Sequence, residues 1–159
     1  MTFPNLISRR ALLGASAALL AESVSAAVRG DEAMYVGGTL KNVPEKTEGK
    51  LDLSNETAMR FTSKKGEITI QYAKIESIEY GQKAGRRVGV ALAVSPLALF
   101  SKKRRHYVTV GFVDVDGKKQ GAVFEVAKGG IRNMLATLET RSGKKVEYES
   151  EEAKKHVGS

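Results

Sequence analysis

The sequence predicts a mainly β domain (α+β in the broad classification): a bent antiparallel sheet or barrel of seven short strands, closed by a C-terminal amphipathic helix. Three observations predict it. Short runs of alternating apolar and polar residues recur from Met34 to Ala127. Gly, Asn, Asp and Ser gather between those runs, where chain reversals need them. The period then changes, with Ile131, Met134, Leu135 and Leu138 falling on one stripe of an α-helix.

Each element follows in turn. Residues 27–33, AVRGDEA, are a loose polar lead. Met34 to Leu40 is a first strand with a glycine break, and Lys41 to Glu48, with Pro44, is a loop. Gly49 to Leu53 puts Leu51 and Leu53 on one face; Ser54 to Thr57 turns the chain; Ala58 to Thr62 then places Met59 and Phe61 together. After the turn Ser63 to Gly66, Glu67 to Tyr72 is the clearest strand, with Ile68, Ile70 and Tyr72 on one side. Ile75 to Tyr80 is a fifth strand, with Ile78 and Tyr80 sharing a face. Tyr107 to Val115 and Gln120 to Ala127 form a hairpin about Asp116-Gly117. Gly129-Gly130 precede the helix and Ser142-Gly143 end it. Lys144 to Glu149 has room for one short final strand, and the charged tail, 150–159, frays.

The stretch EGKLDLSNETAMRFTSKKGEITIQYAKIESIEYG, with Ile70, Tyr72, Ile75 and Ile78 spaced I-x-Y-x-x-I-x-x-I, resembles the pleckstrin-homology-like (PH-like) superfold, including its GRAM and bacterial variants. The resemblance covers residues 34–149 and extends to small exported bacterial proteins with a similar basic-apolar-basic insert. It implies a binding scaffold for lipid headgroups or peptides and brings no catalytic residues. The usual phosphoinositide pocket lies between the first two strands. Here Lys41, Lys46 and Lys50 are offset by Glu45 and Glu48, a departure from a cationic pocket.

The chain has 159 residues, enough for one domain. It has no Cys, which excludes disulfides, thiolate metal sites and lipoprotein anchoring. Its two histidines, His106 and His156, stand far apart, so no metal or cofactor is expected. Residues 1–26 read as an export signal that is removed: Arg9 and Arg10, a mildly apolar middle, and a small-residue site ending at Ala26. Ser8 to Leu13 resembles a twin-arginine signal, and a general secretory signal is the alternative. The expected location is the periplasm or the outside, peripheral on a membrane.

Loss of Arg9, Arg10 and Glu22 lowers the formal charge from +8 to +7. All of that excess sits at Lys83, Arg86, Arg87, Lys102, Lys103, Arg104 and Arg105, because no acid lies between Glu79 and Asp114. A nucleic-acid binder would spread its cations along a face with aromatic residues among them. Nucleic acid is therefore not the expected partner.

Those cations flank the uncharged run Val88 to Phe100 within an insert over 83–106. Large and small residues alternate as far as Ser95-Pro96, which suits an extended hairpin, while the Ala and Leu content permits a short helix. As a helix the thirteen residues would reach about 20 Å, too short for a hydrocarbon layer of about 30 Å. One reading is attachment to an anionic lipid surface. Val88, Val90, Leu92, Val94, Leu97, Leu99 and Phe100 would enter the interface with the cations at headgroup level. The second reading is contact with an envelope protein or with another copy of the chain, as a homo-oligomer. In the third, the run folds back over the sheet as a satellite core with a solvated basic rim.

Weaker signals have simpler explanations. Asp114 to Gly117 has the opening of a calcium loop without its later ligands, and a hairpin turn explains it. Gly85 and Gly89 have the small-xxx-small spacing with charges inside. His106 reads as a strand-start residue, and Glu76 and Glu79 have neither a nucleophile nor a metal partner nearby. A non-enzymatic binding or anchoring module is expected.

Overall fold

The computed structural model describes residues 31–82 and 105–158. They form β1 (Asp31–Gly38), β2 (Thr47–Asp52), β3 (Ala58–Ser63), β4 (Gly66–Gln71), β5 (Ile75–Gly81), β6 (His106–Val113), β7 (Lys119–Val126), α1 (Ile131–Ser142), β8 (Val146–Tyr148) and α2 (Glu151–Gly158). The fold is mainly β. All strands belong to one sheet, in the order β4-β3-β2-β1-β7-β6-β5-β8. Two antiparallel meanders, β1 to β4 and β5 to β7, are joined where β1 pairs with β7. The sheet is open, with β4 and β8 as its edges.

Side-chain packing demonstrates the curl. In a flat sheet β3 and β7 would lie about 14 Å apart, three strand spacings. Yet the rings of Phe61 on β3 and Phe124 on β7 approach to 5.4 Å between centroids, with Tyr35 of β1 packed against both. The sheet therefore wraps around its own aromatic residues. A bulge at Glu76 helps, because the register shifts between Ile75 and Ser77. Ile75, Ile78 and Tyr80 can then all face the core.

Ile131, Met134, Leu135 and Leu138, the stripe predicted from sequence, are buried in that same core. Burying four large side chains stabilises the fold by roughly 1.5–3 kcal/mol each. Gly143 ends α1 in the left-handed conformation at φ 69°, its N–H donating to the Glu139 carbonyl at 2.9 Å. The Arg141 guanidinium in the last turn donates to the Leu53 carbonyl and, at 2.7 Å, to that of Asn55. It also lies 5.5 Å from the centre of the Tyr72 ring. One side chain thus ties α1 to the β2–β3 turn and to the β4–β5 corner.

The structure corrects four expectations. There are eight strands, because the short C-terminal run forms β8 beside β5. That pair is parallel, so the sheet is not wholly antiparallel; α1 is the crossover that returns the chain in the direction of β5. The supposed loose lead supplies Asp31 to Ala33 to β1, where all three pair with β2 and Ala33 pairs with β7 as well. The tail folds as α2. Ala153 and Val157, one helical turn apart, are buried, Ser150 Oγ accepts from the Ala153 N–H, and Arg132 Nε donates to the Val157 carbonyl at 2.7 Å.

The opposite face of the sheet is also partly buried. Val36, Tyr107 and Val123 form a second cluster, with Met34 packed against it. Among the described residues, every buried apolar side chain of α1 and α2 belongs to the first cluster.

Candidate functional site

Of the residues expected at the site, the structure describes Arg105. Val88, Val90, Leu92, Val94, Leu97, Leu99 and Phe100 lie outside the described residues, as do Lys83, Arg86, Arg87, Lys102, Lys103 and Arg104. Arg9, Arg10 and Ala26 of the expected export signal lie outside them too. What can be built is the place from which residues 83–104 leave the sheet and return to it.

That root is the end of the β5–β6 ladder, where Gly81 pairs with Tyr107. The departing side is held by Glu149, just past β8. Its N–H donates to the Tyr80 carbonyl, and its Oε2 accepts from the Gln82 N–H, both at 2.9 Å. Glu149 can come this close because residue 81 is glycine: a Cβ there would meet Glu149 Oε2 at 2.5 Å. The returning side is held twice. Arg105 Nη1 donates to both oxygens of Glu125, at 2.8 and 2.6 Å. The Tyr80 hydroxyl and His106 Nδ1 share a 2.6 Å hydrogen bond, their rings stacked with centroids 6.0 Å apart. His106 is the first residue of β6, as its place in the sequence implied.

The root is dry as well as pinned. Tyr107 is buried, and burial, followed by the charge of Glu125, pushes its phenol above the ordinary tyrosine range. Burial does the same to Tyr80. The Gln82 Nε2 amide is buried and has no hydrogen-bond partner among the described residues. Glu79, two residues before Gly81, is a buried carboxylate beside Thr109 and Glu147 in the ladder.

Beyond the Arg105–Glu125 pair the same face becomes wet. An open groove of about 1220 Å³ runs over β1, β2 and β3. Lys46, Lys50, Lys64 and Lys65 line it, but so do Glu32, Glu48 and Glu125. Mixed signs at this spacing give no field for an anion to follow. Lys46 and Lys50, from the loop and strand where the PH-like resemblance puts a headgroup pocket, are thus set among carboxylates.

The weaker sequence signals resolve locally. Asp114 is the pivot of the β6–β7 hairpin: its Oδ1 accepts from the N–H groups of Asp116 and Lys118, and its Oδ2 from the Gln120 side chain. Those bonds, the Gln120 contact first, hold its carboxyl below the usual range. Glu76 stands at the bulge, 3.7 Å from Lys119, while Glu79 is buried, so the two carboxylates do not form a pair for proton transfer. Among the described residues no cluster of three or more His, Asp or Glu could hold a metal ion, and no helix is long and apolar enough to cross a membrane.

Sequence reasoning missed the residues that hold the root: Glu125, Glu149, Tyr80 and Gln82. Glu125 was not accessible, because counting outward from the Asp116-Gly117 turn pairs Tyr107 with Val126, whereas the observed reversal is centred on Asp116 and pairs Tyr107 with Glu125. Glu149 was not accessible, because its position depends on the parallel docking of β8. Compared with protein-family models and with curated proteins, the chain has no match.

Proposed function

We propose that the chain is an exported, non-enzymatic binding and anchoring module that associates with anionic membrane surfaces through its basic-apolar-basic segment at 83–106. The observation that carries the reading is the anchored root. Glu149 holds the departing strand, and Glu125 and Tyr80 hold the returning one. The sheet thus fixes the two ends between which the sequence carries thirteen uncharged residues and two sets of cations. Apolar insertion and attraction of about 1 kcal/mol per cation near anionic lipid work together. The scaffold is of PH-like type, with α1 closing the curled sheet; seven antiparallel strands in two meanders followed by α1 support that assignment, and β8 and α2 are additions to it. Residues 1–26 act as the export signal, of twin-arginine type.

Co-sedimentation with phosphatidylglycerol vesicles tests the reading. Binding is expected at low salt. It weakens as salt rises, is absent with phosphatidylcholine alone, and falls with Leu97→Asp. No binding to the anionic vesicles at low salt would overturn it. A concentration-dependent oligomer, lost when Leu97 and Phe100 are made polar, would instead assign the segment to protein contact.

A further inference from the structure

We infer that the open edge of β4 is an interface, at which the β4 of a second copy of this chain pairs antiparallel about a twofold axis through Thr69. β4 lies at one end of the sheet and pairs with β3 alone. Just past that ladder the Tyr72 N–H donates to the Thr57 carbonyl at 2.9 Å. Hydrogen-bonded and non-bonded pairs alternate along an antiparallel ladder, so Ile68 and Ile70 also turn their N–H and C=O groups toward β3. Those of Glu67, Thr69 and Gln71 therefore point away from it. Asn42 confirms the direction: from the β1–β2 loop its Nδ2 donates to the Glu67 carbonyl at 2.6 Å. Among the described residues, the backbone groups of Thr69 and Gln71 have no partner on that side. The side chains of Glu67, Thr69 and Gln71 are exposed to solvent, so this side of the strand is open to a partner.

An unpaired edge is a template for another strand, and β4 is complementary to its own reverse. With Thr69 on the axis, the two Thr69 residues exchange N–H and C=O. Each Glu67 N–H then meets the Gln71 carbonyl of the other copy. The Glu67 carbonyl, already engaged by Asn42, has a second lone pair for the Gln71 N–H of that copy. Side chains match as well. Thr69 meets Thr69, and Ile68 falls opposite Ile70 on the core side of the sheet. Glu67 falls opposite Gln71, amide against carboxylate. Within its own chain the Glu67 Oε1 accepts from Arg60 at 3.1 Å and from Thr69 at 3.1 Å, which holds the carboxylate over the outer face and off the edge. No like charges face each other between 67 and 71.

The pairing has fixed limits. The chain turns away at Tyr72 to Lys74, and Asn42 guards the other end at Glu67. So short a ladder falls below the roughly 1,200–2,000 Å² that stable complexes bury, which makes this a weak, concentration-dependent dimer. The twofold axis consumes the edge, so assembly stops at two. β8, the opposite edge, offers three residues against the six of β4 and is followed at once by α2. The dimer is argued from β4 and stands apart from the membrane reading.

Sedimentation of the chain without lipid, over about a hundredfold range of concentration, tests the inference. Mass is expected to rise from one chain toward two and no further, and to do so equally with Leu97→Asp and Phe100→Asp. Gln71→Lys sets an ammonium opposite Glu67 twice and is expected to tighten the dimer severalfold at low salt; Gln71→Glu is expected to weaken it severalfold. Thr69→Pro removes an N–H that faces away from β3, so it should abolish the dimer with the far-ultraviolet strand signal retained. One chain at every concentration would overturn the inference, as would association indifferent to the charge at residue 71. If Thr69→Pro does not fold, the Gln71 pair decides alone. A dimer lost with Leu97→Asp and Phe100→Asp would overturn it in favour of contact through the 83–106 segment. Vesicle binding is read separately, so its failure beside an intact dimer sinks only the membrane reading.

Discussion

Val123 and Phe124 are consecutive residues of β7, both wholly buried, and they face opposite ways. Phe124 looks into the curl, where Tyr35 and Phe61 pack on it and α1 belongs to the same cluster. Val123 looks the other way, toward Val36 and Tyr107. The difference teaches that one strand can be buried twice by different means. On the first face the cover is other secondary structure, visible as periodicity in the sequence. On the second, among the described residues, only β1, β6 and β7 themselves contribute to the cluster.

The comparison can be broken most forcefully at Phe124. Phe124→Ala is expected to cost about 3–5 kcal/mol in urea unfolding. Val123→Ala should cost about 2 kcal/mol in the full chain. A cost as large as that of Phe124→Ala would mean that the second face is sealed as well as the first.

Next comes alkaline pH. All five tyrosines titrate above their ordinary value of 10.0, each chiefly because of burial, and Tyr35 is pushed up to about 12. A raised phenol favours the neutral folded form. Its contribution is therefore complete below pH 10 and is lost as pH rises toward about 12, the value for Tyr35. Urea midpoints should fall over that window, with tyrosinate absorbance appearing late for Tyr35.

Ending the chain before Glu151 should cost about 2 kcal/mol, because Ala153 and Val157 leave the core and Arg132 loses the Val157 carbonyl. No change in melting temperature would mean that α2 rests on the first face without sealing it. The smallest effect is expected at the root. Arg105 and Glu125 are partly exposed, so Arg105→Gln should cost less than about 1 kcal/mol. A larger loss would show that this pair holds the end of the β6–β7 ladder more tightly than its exposure implies.

Seven strands and α1 were legible because a pleat repeats every two residues and a helix every 3.6, and both marks are local. The Asp114–Gly117 hairpin was legible from turn chemistry; Gly117 adopts φ 78° and the Asp114 carboxylate caps the reversal. The tail was misread because two buried residues, Ala153 and Val157, are too few to stand out among charges. At the root, Arg105 was legible as a cation and its partner Glu125 was not, since a salt bridge between adjacent strands is a fact of register.

By itself the sequence determined which residues pair with water and which avoid it, where the chain turns, and where its cations gather. Only the tertiary structure decided the strand order, the curl that brings Phe61 to Phe124, the parallel seat of β8, and the burial of Val36, Tyr107 and Val123 on the outer face. The physical reason is range. Local periodicity fixes one strand's two faces, but what covers each face depends on contacts between residues far apart in the chain.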